Sequence, residues 1–182
     1  MLYLTFLNNF NILQTNIKSF SLTLLLGVFF STASLSENYV PKTNINGSGL
    51  KIPRFVSLKN SLTYIRTGPG KRYPIIFEIK QKGYPLKIVA EFNNWRKVTN
   101  SNSLTGWIHT QMLSSFRTGL IIKNTLLKKI PSEKSKSQAK LLPNLLVDVK
   151  KCELNWCKVE IMKDKIFVGW VKKISIWGGI QK

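Results

Sequence analysis

From Thr63 onward the chain alternates apolar and polar positions with a period of two. Thr63 and Ile65 fall on one side and Tyr64 and Arg66 on the other, the pattern of a half-buried β-strand. Gly68-Pro69-Gly70 ends that strand, because glycine tolerates positive φ and proline fixes φ near −65°. Ile75–Ile79 and Leu86–Glu91 are short apolar runs separated by the turn signal Lys82-Gly83. A second turn signal, Asn93-Asn94, precedes Trp95–Val98, where Trp95 and Lys97 share one face and Arg96 and Val98 the other. Gly106-Trp107-Ile108 closes the stretch. Five short strands in roughly sixty residues leave no room for crossover helices, which predicts a small antiparallel β-barrel.

The same ending returns further on. Asn94-Trp95-Arg96-Lys97-Val98 recurs as Asn155-Trp156-Cys157-Lys158-Val159, and Gly106-Trp107-Ile108 as Gly169-Trp170-Val171. The two tryptophan offsets are 61 and 63 positions, and Pro131 follows Pro69 by 62, in a chain with five tryptophans. That is an internal duplication. The strand candidates of the second copy are Leu120–Ile122, Leu126-Leu127, Leu141-Leu142, Leu145–Val149, Trp156–Ile161 and Val168–Val171. Its Gly-Pro-Gly turn has become Ile130-Pro131-Ser132, and Lys128 and Ser135 stand where Arg66 and Tyr73 stood. The polar, lysine-rich run from Ser132 to Lys140 reads as a solvated loop. The fold class expected is all-β, with two tandem small barrels over 53–115 and 119–178, a hinge at Ser114–Gly119, and helix confined to single turns such as Thr110–Leu113.

Thr63-Tyr64-Ile65-Arg66-Thr67-Gly68-Pro69, the Tyr73-Pro74 step, Trp95-Arg96-Lys97-Val98 and Gly106-Trp107-Ile108 together resemble a bacterial SH3 domain. Tyr64 occupies the place of the family's usual asparagine. Pro53–Lys59 with Ala90–Val98 is similar to a subgroup of exported tandem SH3 proteins of unassigned function. The resemblance implies two SH3-like barrels and a non-catalytic module that binds wall peptides, glycans or partner proteins.

Composition adds a compartment. Residues 1–36 carry a single charge, Lys18, and Leu22–Phe30 is apolar apart from Thr23. Small residues follow at Ser31–Ser34 and Ser36. This resembles a secretory signal peptide over 1–36, too short in its apolar run for the ~20 residues a membrane span needs. Export to the periplasm or cell envelope is the expectation, with membrane association only if the segment stays uncleaved. Residues 37–52, with three Asn, two Gly, one Ser and one Pro and no apolar period, read as a flexible linker.

Candidate chemistry is sparse. With one histidine and eight acidic residues spread thinly, no paired acids or nucleophile–base pair emerges, so no catalytic residue and no cofactor is expected. His109 reads as a structural or exposed rim residue, and Glu91, Glu153 and Asp164 form no constellation. Cys152 and Cys157 flank four residues in a strand–loop–strand pattern that brings their Cα atoms within disulfide range. An exported chain favours the bond over two free buried thiols. Zinc would require two further ligands that His109 cannot supply, so no metal is expected.

The formal charge of +20 suits an anionic polymer, an anionic lipid surface or a wall polymer, although the lysines are scattered through both units. Nucleic acid fits the charge but belongs to the wrong compartment. The aromatic residues point instead to a groove for extended peptides. The candidate ligand-binding residues are Tyr64, Arg66, Tyr73, Trp95 and Trp107, with a cell-wall peptide or an envelope protein as partner. A polyanion binder driven by charge and an accessory protein of an envelope enzyme are the alternatives.

Overall fold

The computed structural model describes residues 44–162 and 165–179; the expected signal segment and Asp164 lie outside them. Among the described residues every regular element is a strand, save two single 3-10 turns at Thr110–Met112 and Lys173–Ser175. The expected all-β fold in two tandem units is therefore present.

The first sheet contains β1 (Asn44–Ile45), β2 (Arg54–Leu58), β3 (Thr63–Arg66), β4 (Ile75–Ile79), β5 (Pro85–Phe92), β6 (Trp95–Thr99), β7 (Thr105–His109) and β8 (Leu113–Ser114). Its strand order is β4-β3-β7-β6-β5-β2-β8, with β1 added in parallel to β5. The second contains β9 (Thr118–Ile121), β10 (Thr125–Lys128), β11 (Ser137–Leu141), β12 (Leu146–Glu153), β13 (Trp156–Met162), β14 (Ile166–Lys172) and β15 (Ile176–Gly178). Its order, β11-β10-β14-β13-β12-β9-β15, repeats the first strand for strand. The irregularities repeat too. Register shifts fall at Ile88/Ala90 and Val149/Lys151, and at Ile65/Arg66 and Leu127/Lys128. Bulges of this kind bend a strand and increase its twist, which lets one sheet wrap its own core. Neither ladder closes on itself among the described residues; β4 and β8 end the first, β11 and β15 the second.

Each unit has its own core. Leu58, Ile65, Leu86, Ile88, Val98 and Ile108 fill the first. Ile121, Leu127, Leu141, Val147, Val149, Cys157, Val159, Ile161 and Val171 fill the second. These are the inward members of the period-two runs. The Gly-Trp motif has a packing origin. A Cβ on Gly106 would lie 2.4 Å from Ile65 Cγ2, and one on Gly169 2.7 Å from Leu127 Cγ and from the Lys128 carbonyl. Only glycine lets β3 and β10 cross so close over β7 and β14.

Three readings of the sequence require correction. Residues 44–48, expected as linker, are held on the first sheet: Asn44 and Ile45 pair with Glu91 and Phe92, and the Ser48 amide donates to Glu91 Oε2 at 2.6 Å. The signal was invisible locally because the partner carboxylate is 43 positions away. The hinge at Ser114–Gly119 is occupied instead. Thr118 and Gly119 belong to β9, Thr118 Oγ1 donates to the Gly83 carbonyl at 2.6 Å, and Arg117 donates to the Phe55 carbonyl. Phe55 and Trp177 meet edge to face at 5.0 Å, so the two sheets touch directly. Within the expected loop Ser132–Lys140, Ser137–Lys140 begin β11, where Ala139 and Leu141 turn toward the core and Gln138 and Lys140 stay outside. Gln138 and Lys140 on the wet face, after the lysine-rich run before them, hid that alternation.

Candidate functional site

The outward face of the first sheet gathers most of the predicted ligand residues. Tyr64, 46% exposed, and Arg66 project from the side of β3 opposite the buried Thr63 and Ile65. Across the ladder Arg66 pairs with Trp107 and Trp107 with Lys97, while Trp95 pairs with His109. Cross-strand partners point to the same side. The face therefore carries a row Arg66–Trp107–Lys97, with Tyr64 and the Trp95–His109 pair beside it.

The aromatic residues on this face differ in cover. Trp95 meets the His109 ring edge to face at 5.3 Å. His109 is structural: its Nδ1 accepts from the Gln111 amide at 3.3 Å and caps the 3-10 turn. Trp107 is half-buried, and the next position across the ladder beyond Lys97 is Ala90, whose methyl group is too short to reach over it. Lys97 and His109 are the members of this face that were not among the predicted residues. Period-two spacing from Trp95 and Trp107 marks both positions, but not the pairing between strands.

Tyr73 and Arg66 meet at the loop that follows β3. The Tyr73 ring lies on Gly68 and Gly70; a Cβ on Gly68 would sit 2.5 Å from its Cδ1. Arg66 Nη1 donates to the Tyr73 carbonyl at 2.8 Å, so its charge is partly committed to holding the loop. Arg72 stacks over the Tyr73 ring at 5.3 Å.

The second unit reproduces this plan with changed chemistry. Lys128 pairs with Trp170, Trp170 with Lys158, and Trp156 with Lys172. Lys128 Nζ donates to the Ser135 carbonyl at 2.9 Å, as Arg66 does to that of Tyr73. Here Trp170 is covered: Lys151 Nζ sits 5.3 Å from its ring centre, and the indole is 9% exposed. Trp156 is half-buried and lines two adjoining cavities of about 480 and 410 Å³.

A further substitution separates the two β-hairpins near their tips. In the first, the register pair Glu91–Arg96 is an ion pair, with Arg96 Nε 3.0 Å from Glu91 Oε1. Arg54 and Ser48 complete the shell around that carboxylate. Burial alone would raise the Glu91 carboxyl; the Ser48 amide and the Arg54 guanidinium outweigh it and hold it below its ordinary value. In the second hairpin the corresponding pair is Cys152–Cys157, joined as the expected disulfide with a Cα separation of 4.0 Å. The strands run on to Glu153 and Trp156, so the connecting turn is Leu154-Asn155 rather than the four residues expected.

A bacterial SH3 domain model matches residues 59–115 and 125–178, well over half of the chain. The chain belongs to the bacterial SH3 domain family, as a tandem of two such domains. No curated protein matches it. Among solved structures, NlpC2 of Trichomonas vaginalis is similar at 11% identity and a TM-score of 0.32, covering 70% of this chain and 49% of that one. NlpC1 of the same organism gives 11% and 0.33, covering 72% of this chain and 48% of that one. An NlpC/P60 family protein of Bacillus cereus gives 15% and 0.31, covering 68% and 56% respectively. The chain thus spans about half the length of these proteins.

Proposed function

We propose that this chain is an exported, non-catalytic binding module of the cell envelope, with SH3-like units at 53–115 and 119–178. Its ligand, a cell-wall peptide or fragment or an envelope protein, docks on the outward face of the first unit. Tyr64, Trp95 and Trp107 supply contact area, and Arg66 and Tyr73 shape the loop at its edge. The observation that supports this most is the co-facial row of Tyr64, Arg66, Trp107 and Lys97 on a rigid antiparallel frame in a family of binding domains. Rings on such a frame offer large area at little entropic cost, and lysine and arginine supply donors for ligand carboxylates and carbonyls. Export is supported by the charge-poor first 36 residues and by the disulfide.

Capture assays with purified wall fragments and envelope extract test the reading. The wild-type chain retains a ligand at moderate salt, and Tyr64→Ala with Trp95→Ala loses it while the thermal midpoint stays within a few degrees. Retention that collapses between low and moderate salt would instead indicate charge-driven capture.

A further inference from the structure

The second unit carries an apolar projection that the first lacks. Leu154, at the tip of the β12–β13 hairpin, is 90% exposed and sits at φ 48, a conformation that favours Asn or Gly over a branched side chain. The equivalent turn residue of the first unit is Asn93 at φ 47, polar and suited to the position. Ile174, 69% exposed, stands on the neighbouring 3-10 turn, tied to the hairpin by the Lys173 amide donating to the Asn155 carbonyl at 2.8 Å. These are the two most exposed large apolar side chains among the described residues. Ile174, Asn155 and Trp156 line one cavity.

Basic charge surrounds this point. Lys172 and Lys173 line that cavity, and Lys123 and Lys128 line the adjoining one on the other side of Trp156. Glu133 is the single acid of the two cavities, already paired with Lys172. Behind the tip, the Cys152–Cys157 bond clamps the hairpin two positions from Leu154, so the strained turn is presented rigidly.

We propose that the Trp156 end of the second unit docks peripherally on an anionic phospholipid bilayer. Leu154 and Ile174 enter the headgroup–acyl boundary, Trp156 lies at the interface, and Lys123, Lys128, Lys172 and Lys173 face the lipid phosphates. Side chains that protrude gain nothing from a small ligand held in a cavity, but they do gain from a soft apolar medium. An indole beside lysines matches the wet-and-apolar layering of a bilayer interface. This docking is independent of the ligand face on the first unit and does not need an uncleaved N-terminal segment.

Vesicle co-sedimentation of the full-length chain tests it, using phosphatidylcholine alone and phosphatidylcholine with about one third phosphatidylglycerol. Residues 1–36 are common to every variant, so differences between variants report on the second unit. The wild type should prefer the anionic vesicles. Leu154→Asn with Ile174→Ser should weaken that binding about tenfold without lowering the thermal midpoint, and Lys172→Gln with Lys173→Gln should weaken it and flatten its salt dependence. Soluble glycerol phosphate should not compete. Tyr64→Ala with Trp95→Ala should bind vesicles as the wild type does, which separates this outcome from that of the wall-fragment assay. The proposal is overturned if Leu154→Asn with Ile174→Ser sediments like the wild type, or if neutral vesicles bind equally well. Competition by glycerol phosphate, or loss of wall-fragment capture in place of vesicle binding, overturns it as well.

Discussion

Replacing Glu91 by glutamine preserves the side chain's shape and removes its charge. Glu91 is 2% exposed and Arg96 7%. The carboxylate accepts from the Ser48 amide at 2.6 Å, from the Ser48 hydroxyl at 3.0 Å and from Arg96 Nε at 3.0 Å, and it also pairs with Arg54. In the variant, Arg96 keeps its bonds to the Asn93 and Trp95 carbonyls but loses its counter-ion inside the protein. Breaking one side of a buried pair costs about 3–5 kcal/mol, a large share of the roughly 5–15 kcal/mol that stabilises a whole domain. Urea unfolding followed by tryptophan fluorescence should show the midpoint falling by roughly 2 M at an unchanged slope. Because the folded Glu91 carboxyl is held below its ordinary value, its contribution is complete above about pH 4.5 and disappears as pH falls through the folded value. The wild type should therefore lose stability on acidification over a range where Glu91→Gln changes less. A variant within about 1 kcal/mol of the wild type, with an identical acid limb, would refute the reasoning.

Three further outcomes follow from local geometry. Leu154→Asn relieves a left-handed residue that buries almost nothing, so thermal unfolding should show a gain of up to about 1 kcal/mol. Thiol labelling of the unfolded, unreduced protein should find no free cysteine, and reducing Cys152–Cys157 should cost about 2 kcal/mol by the chain-entropy relation for so short a loop. Gly169→Ala forces a Cβ against Leu127 and the Lys128 carbonyl at 2.7 Å, and denaturant titration should show a loss of about 1–3 kcal/mol.

Much of this architecture was legible in the residues. The offsets between Trp95 and Trp156 and between Trp107 and Trp170 reflect the repeated strand order, and the inward members of each alternating run became the two cores. What escaped was long-range pairing. The docking of residues 44–48 depends on Glu91, whose burial follows from Arg54 and Arg96 meeting it from two other strands. Strand β11 was hidden because its outward residues, Gln138 and Lys140, continue the polar run before it. On the outward face of the first sheet, Tyr64, Trp95 and Trp107 follow from period two, whereas the commitment of Arg66 to the Tyr73 carbonyl depends on a loop path that spacing does not reveal. The different cover of the second unit's tryptophans was missed because the residues beside them, Lys151 in the place of Ala90 and Lys172 in the place of His109, come from neighbouring strands.

The central claim is that the outward aromatic face of the first unit is the ligand surface. Amide and indole chemical-shift mapping on the isotope-labelled full-length protein, titrated with a soluble cell-wall peptide fragment, tests it most directly. The account predicts perturbations concentrated at Tyr64, Arg66, Lys97 and the indoles of Trp95 and Trp107, saturating together with one affinity. Perturbations confined to the second unit, or none at concentrations where the capture assay shows binding, would contradict it.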